Sequence, residues 1–374
     1  MFLKHPLSLS LIFFTLFLGG CTTVVPKPEA SLKHALKKSF DSNGYNYTST
    51  TRITKLTLPK SDINDTNPYA VRDSIYLQKG IDVIRGFSLA IDGAVDYSQA
   101  VKSESTYDFH YNRDNVEVSV KLPFLFEYSS KTLYMGKTFL NTIFPMKESD
   151  EGKLIRFNLN DSLLSTVLGE ESLAQFDEKK VRSINKAMKE GVFKAFSDLN
   201  GSQYSYIPLT PKEKFSGTVQ KVHLSLDKNQ SITFLLSITD AIVQKMYTEA
   251  MLAKESYGAY MLLSDPKQLG ALMENMNLHL DFDFGIDHEG YIGLIHTTIH
   301  ASDTEDTFAL GVENTTLLNS FNAPQFTIDP KASGSIDYME VFQNWTEVFP
   351  SNAPTEPMDE DTIDLNGNNE NRVS

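Results

Sequence analysis

The residues best suited to chemistry cluster late in the chain. His296 and His300, in "HTTIH", stand four apart, and His279 and His288 precede them closely. On a helix that spacing puts two imidazoles on one face for zinc, with a neighbouring glutamate to activate water. This segment alternates as a strand does and holds no such glutamate, so the histidines read as outward-facing strand residues rather than ligands. Asp281, Asp283 and Asp287, in "DFDFGID", offer carboxylates for calcium. Phe282 and Phe284 claim the core face, which points the acids to water. The late "DLNGNNE" lacks the alternating acids and terminal bidentate glutamate of a calcium loop.

No G-x-S-x-G elbow, phosphate-cradling glycine loop, H-E-x-x-H or C-x-x-C occurs. Two carboxylates brought together only by folding leave no local mark, so an unrecognised hydrolase stays as a third reading behind two non-catalytic ones. No catalytic, metal or cofactor-binding residue is assigned, no cofactor is expected, and the expectation is that the protein is not an enzyme. Trp345, the single tryptophan, in "VFQNWTEVFP", reads as a core or sheet-edge anchor.

One cysteine remains, and its position gives it a different chemistry. Cys21 follows "MFLKHP", with its basic residue, then the apolar "LSLSLIFFTLFL" and two glycines, the order of a secretory signal. The apolar run is about a dozen residues where a spanning helix needs roughly 20. A buried free thiol is a poor alternative, because the residue sits outside any globular pattern and a lone cysteine has no partner within the chain. The run Leu18, Gly19, Gly20, Cys21 resembles the lipobox of bacterial lipoproteins. The resemblance covers residues 1–21 and implies that the Cys21 thiol takes a diacylglyceryl group. It also implies cleavage between Gly20 and Cys21 and acylation of the new amine, palmitate being the expected kind of chain. Two or three acyl chains make such an anchor stable rather than transient. In Gram-negative lipoproteins an aspartate after the cysteine tends to retain the protein at the inner membrane. Thr22 is not aspartate, which implies the outer membrane, facing the periplasm.

Charge limits the partners. The chain has 34 basic and 48 acidic residues, and removing residues 1–20 with Lys4 leaves a formal charge of −15. Without a basic face there is no counterion release for nucleic-acid binding, and anionic lipid does not attract such a body. The anchor must therefore supply the membrane attachment. The end from Pro350 has three prolines, six acids against Arg372 and no aromatic residue. It reads as a disordered acidic tail over 350–374.

Residues 21–29, with Pro26 and Pro28, read as a lipidated tether. The body over 30–349 begins with an amphipathic helix at "SLKHALKKSF". "FSLAIDGAVDY" then alternates, with Phe87, Leu89, Ile91, Gly93, Val95 and Tyr97 on one face. "TYDFHYNRDNVEVSVKL" does the same on both sides of a turn at "NRDN", and "FLFEYSSKTLYMG" adds a pair around Ser129 and Ser130. A 3.6 period predicts helix over roughly 161–199, with Asp161 as first cap. After Pro211, "TVQKVHLSLDKNQSITFLLSI" reads as a hairpin turning at "DKNQ", followed by helices near 240–255 and 266–275. The last hairpin puts Met276, Leu278, Leu280, Phe282 and Phe284 on one face, turns at "DHEG", and returns through Tyr291, Gly293, Ile295, Thr297 and Ile299.

The predicted class is α+β: a large curved antiparallel sheet built of meanders, with interspersed helices on its concave face. Two related halves, about 30–210 and 211–349, are compatible with this order. Behind a lipobox, the element order and aromatic alternation resemble the half-barrel lipoproteins of the LolA/LolB and LppX type. The resemblance rests on no single motif, and the chain is about half as long again as one such unit. It implies a membrane-anchored envelope protein that binds a lipid or acyl chain by burial, without catalysis. The expected cavity lining is Phe87, Leu89, Ile91, Leu280, Phe282 and Phe284. The alternative is a structural or interaction lipoprotein with a fully packed sheet, contacting an envelope partner.

Overall fold

The computed structural model describes residues 26–58, 79–113, 115–136, 147–150, 152–162, 164, 166, 177–252, 254–263, 273–305 and 307–348. The segment expected to be a signal, with Gly20 and Cys21, most of the helix expected over 266–275, the Trp345 side chain and the acidic C-terminal stretch lie outside the described residues.

Twelve strands form one curved sheet. In chain order they are β1 (Gly44–Thr57), β2 (Phe87–Asp96), β3 (Lys102–Arg113), β4 (Val116–Glu127), β5 (Thr132–Met135), β6 (Leu154–Asn158), β7 (Tyr204–Tyr206), β8 (Thr218–Leu226), β9 (Met276–Asp287), β10 (Ile292–Asp303), β11 (Ala309–Asn319) and β12 (Ser335–Asp337). Across the sheet the order is β12-β6-β5-β4-β3-β2-β1-β11-β10-β9-β8-β7. Consecutive strands pair antiparallel wherever a tight turn joins them, since a short connection permits nothing else. Asn115 takes a positive φ of 63° in the β3–β4 turn and Gly290 one of 86° in the β9–β10 turn. Both residue types reach that left-handed region more readily than others do. The α+β sheet of meanders is thus present, and β1 pairs with β11 near its centre.

The α-helices among the described residues are α1 (Pro28–Phe40), α2 (Glu178–Asp198), α3 (Pro211–Phe215), α4 (Lys228–Thr248), α5 (Lys254–Leu263), α6 (Pro330–Ser333) and α7 (Tyr338–Val348). The segment after β8 corrects the expected "DKNQ" hairpin. Asp227 accepts from the Gln230 backbone N–H while the Gln230 side chain reaches back to the Asp227 backbone, and this capping box opens α4. The alternation of "SITFLLSI" is over-ridden by that cap and by Phe234, which packs as part of a helical stripe.

α1, α2 and α4 cover the inner face of β7 to β10. Leu32, Ala35 and Leu36 of α1, Ala195 and Phe196 of α2 and Phe234 of α4 bury Val222, Leu224, Leu226, Leu280 and Phe284. Each large side chain fully buried here contributes about 1.5–3 kcal/mol. Gly191 lets α2 lie close on α4, since a Cβ there would stand 2.6 Å from the Ala241 methyl. A smaller core of Ile155, Ile336 and Val341 closes the opposite edge.

From β11 the chain crosses the outer face as a strap over 320–334 to reach β12, which explains the one parallel pairing among the described residues, β12 on β6. The strap is tied to β1 by paired hydrogen bonds between Asn46 and Gln325, each 2.8 Å. It is tied to β3 by Glu104, whose buried carboxylate accepts from the Thr327 N–H and hydroxyl and from the Ile328 N–H. Ala94 and Leu125, Glu104's neighbours across the ladder, are fully buried.

Candidate ligand-binding face

Cross-strand register builds the inner face row by row. One row runs Val222, Phe284, Ile295, Thr316, Ser49, Ile91, Tyr107 and Leu122. The next runs Leu224, Phe282, Thr297, Asn314, Thr51, Leu89, Phe109 and Val120. Each row is apolar at both ends and polar in the middle, and neither carries an acid or a histidine.

The two apolar ends differ in what covers them. At β8 and β9 the space is filled: Phe196 of α2 lies 5.4 Å from the Phe284 ring and 6.2 Å from Phe282, and Phe234 of α4 lies 5.5 Å from Phe282. Leu280 and Phe284 are buried there. At β2 to β4 the wall is open. Phe87 is 45 % and Phe109 41 % exposed, Val116 and Val118 are exposed beside them, and the Phe87 ring packs at a tilt against Tyr111, centroids 5.1 Å apart.

The six expected lining residues therefore lie on one face but not at one place. Phe282 and Leu89 share a row four strand steps apart, about 19 Å at about 4.8 Å per step. Leu280, Phe282 and Phe284 are core, held by helices; Phe87, Leu89 and Ile91 belong to the open wall. None of the six lines the clefts of about 330 to 410 Å³ that open elsewhere on the surface.

Between the two apolar ends lies a hydrogen-bonded polar band. The Asn314 amide donates to the hydroxyls of Ser49 and Thr51, both at 2.8 Å. The Thr316 hydroxyl donates to the Asn314 carbonyl at 3.0 Å and lies 2.9 Å from Ser49. At the far end of the wall, tyrosines close the face. The end of the Tyr47 ring passes over Gly93, where a Cβ would sit 2.5 Å from it, and its hydroxyl meets Ser105 at 2.6 Å. Burial, with Tyr45, Tyr128 and Tyr47 nearby, pushes the Tyr97 phenol well above its ordinary value, so it stays neutral.

Apart from His288, which lies in the β9–β10 turn, the histidines and acids singled out by spacing lie on the outer face. Asp281 and Asp283 do not simply face water, as their alternation predicts. Asp283 bonds His223 at 2.7 Å and Lys221 at 3.1 Å, Lys221 also holds Glu213 at 2.8 Å, and Asp281 lies 3.1 Å from His279. His296 bonds Thr315 at 2.9 Å, and exposed His300 stands opposite His279. This ladder alternates sign across β8 and β9, which favours pairing over ligation, and among the described residues no three such groups converge on a metal position. The signal for it was the outward Lys221 and His223 of β8, legible only once β8 is known to lie beside β9. Among the described residues no helix is long and apolar enough to cross a membrane.

No protein-family model matches the sequence, and no curated protein sequence matches it. Among solved structures, the chain is similar to the crystal structure of LprF from Mycobacterium bovis, at 9 % identity over 82 % of this chain and 97 % of that one. The TM-score is 0.32, too low for anything about ligand or mechanism to be carried across.

Proposed function

We propose that this protein is a cell-envelope lipoprotein, acylated at Cys21, that holds a lipid or acyl chain against the open inner wall of β2 to β4 without covalent chemistry. The observation that carries the reading is the wall itself. A contiguous run of aromatic and aliphatic side chains is left half-exposed on the face that the helices cover elsewhere. Such a patch marks an interaction site, because burying it in a ligand releases the water held against it. The implied location is the outer membrane, facing the periplasm.

Organic extraction of the protein purified from membranes tests the cargo. A stoichiometric lipid that is lost in Phe109→Ser supports the reading; an empty protein that also ignores added oleate overturns it. The second reading, an interaction lipoprotein, draws on the same wall being an open surface rather than an enclosed cavity, which suits a partner's apolar segment. Cys21→Ser tests the anchor and should leave an unprocessed, unacylated precursor. Cleavage and membrane partition equal to wild type would remove it.

A further inference from the structure

Phe215 is 94 % exposed, the most exposed large apolar side chain among the described residues, and nothing in the ligand reading employs it. It ends α3, a single turn held rigidly by a capping box of Thr210 and Glu213. Val219, 59 % exposed, follows it at the start of β8, and the exposed Lys212 and Lys214 flank it. The one acid of the turn, Glu213, faces away from this tip into its bond with Lys221. What remains outward is two cations around an aromatic ring, on a body that is otherwise strongly acidic.

The start of the described chain lies at the same sheet edge. The Tyr206 hydroxyl of β7 donates to the Pro26 carbonyl at 2.6 Å. Tyr206 pairs with Val222, and the next residue, Ile207, donates its N–H to the Lys221 carbonyl at 3.1 Å. Lys221 is the residue that holds Glu213 of α3. The attachment of Pro26 and the attachment of α3 are thus adjacent positions on β7 and β8. Cys21 precedes Pro26 by five residues, a reach of at most about 17 Å when extended. An anchor at Cys21 therefore keeps this edge within one short tether of the lipid surface.

We infer that the α3 tip is a membrane-docking element: Phe215 and Val219 enter the lipid interface while Lys212 and Lys214 meet anionic headgroups beside the tether. The contact rests on acylation at Cys21, not on the ligand wall. The acidic remainder of the body is repelled by an anionic surface, which confines contact to this edge and orients the protein.

The test is fluorescence of the mature acylated protein carrying Phe215→Trp in a Trp345→Phe background, reconstituted in phosphatidylethanolamine and phosphatidylglycerol vesicles with or without brominated acyl chains. The expected result is blue-shifted emission that bromines quench. The comparison position is Glu305→Trp, on the β10–β11 turn at the opposite end of the sheet, expected to emit as in water and escape quenching. Solvent-like emission from position 215 on vesicle-bound protein overturns the docking contact, as does equal quenching at both positions. A shift that appears only with added envelope protein also overturns it, in favour of a protein partner. Failure of the wild type to float with vesicles refutes the anchor, and this inference with it, while leaving the ligand wall standing.

Discussion

Phe109 offers the sharpest quantitative test of the open wall. It sits in the middle of the β2 to β4 face, opposite Leu89 and Val120, and is 41 % exposed. A phenylalanine has roughly 200 Å² to bury, so a ligand lying on it removes about 80 Å² from water, worth about 2 kcal/mol at 25 cal/mol per Å². Phe109→Ser should weaken binding of a fluorescent fatty acid about 30-fold, at about 1.4 kcal/mol per factor of ten. Since the side chain is already half in water, the fold should lose little stability. Phe284→Leu is the counterpart: it removes a buried edge-to-face contact with Phe196, so it should lower the melting temperature and leave affinity for folded protein unchanged. Titration of both variants decides the matter. A Phe109→Ser change below threefold, or an equal loss of affinity in Phe284→Leu, would refute the division of the inner face into an open wall and a packed core.

Three further outcomes follow from the geometry. Glu104→Ala should cost about 3 kcal/mol or more, since the Thr327 and Ile328 donors lose a charged acceptor at about 1–3 kcal/mol each; hydrogen exchange at the strap amides should rise, and unchanged protection would show that Glu104 does not hold the strap. Gly93→Ala should destabilise by about 1–3 kcal/mol, because its methyl meets the Tyr47 ring and the Glu104 carbonyl; an unshifted thermal transition would count against the close approach of Tyr47 to Gly93. For the Glu213 and Lys221 pair, burial opposes both charges, but their mutual bond outweighs it, with Thr210 helping Glu213 and Asp283 helping Lys221; Glu213 is held below 4.5 and Lys221 above 10.5. The carboxylate's contribution is complete above pH 4.5 and lost as pH falls through its lower folded value, while the ammonium's is complete below pH 10.5 and lost as pH rises through its higher one. Melting temperature against pH should therefore fall less steeply at the acid end in Glu213→Gln, and parallel curves for variant and wild type would dismiss the pair.

Much of the sheet was legible because alternation is a local property. In β2, β3, β4, β9 and β10 most inward residues are apolar and most outward ones polar, so each strand reports its own face. β1 and β11 were not recognised for the opposite reason. Their inward positions include Ser49, Thr51, Asn314 and Thr316, whose polarity erases the alternation and is satisfied largely by bonds between β1 and β11, more than 260 residues apart in sequence. The start of α4 was misread because "SITFLLSI" alternates, and the cap four residues upstream, Asp227, was the stronger signal.

By itself, the sequence determined the class of fold, the faces of five strands, the acidity of the body and the lipobox-like position of Cys21, all properties of composition or of residues within a few steps of one another. Only the tertiary structure decided which strands meet at the centre of the sheet, where the strap crosses, and which half of the inner face the helices cover. Helices α1, α2 and α4 bury Leu280 and Phe284 and leave Phe87 and Phe109 in the open, although all four residues follow the same period. Periodicity states that a side chain points inward. What it meets there is set by packing between distant elements.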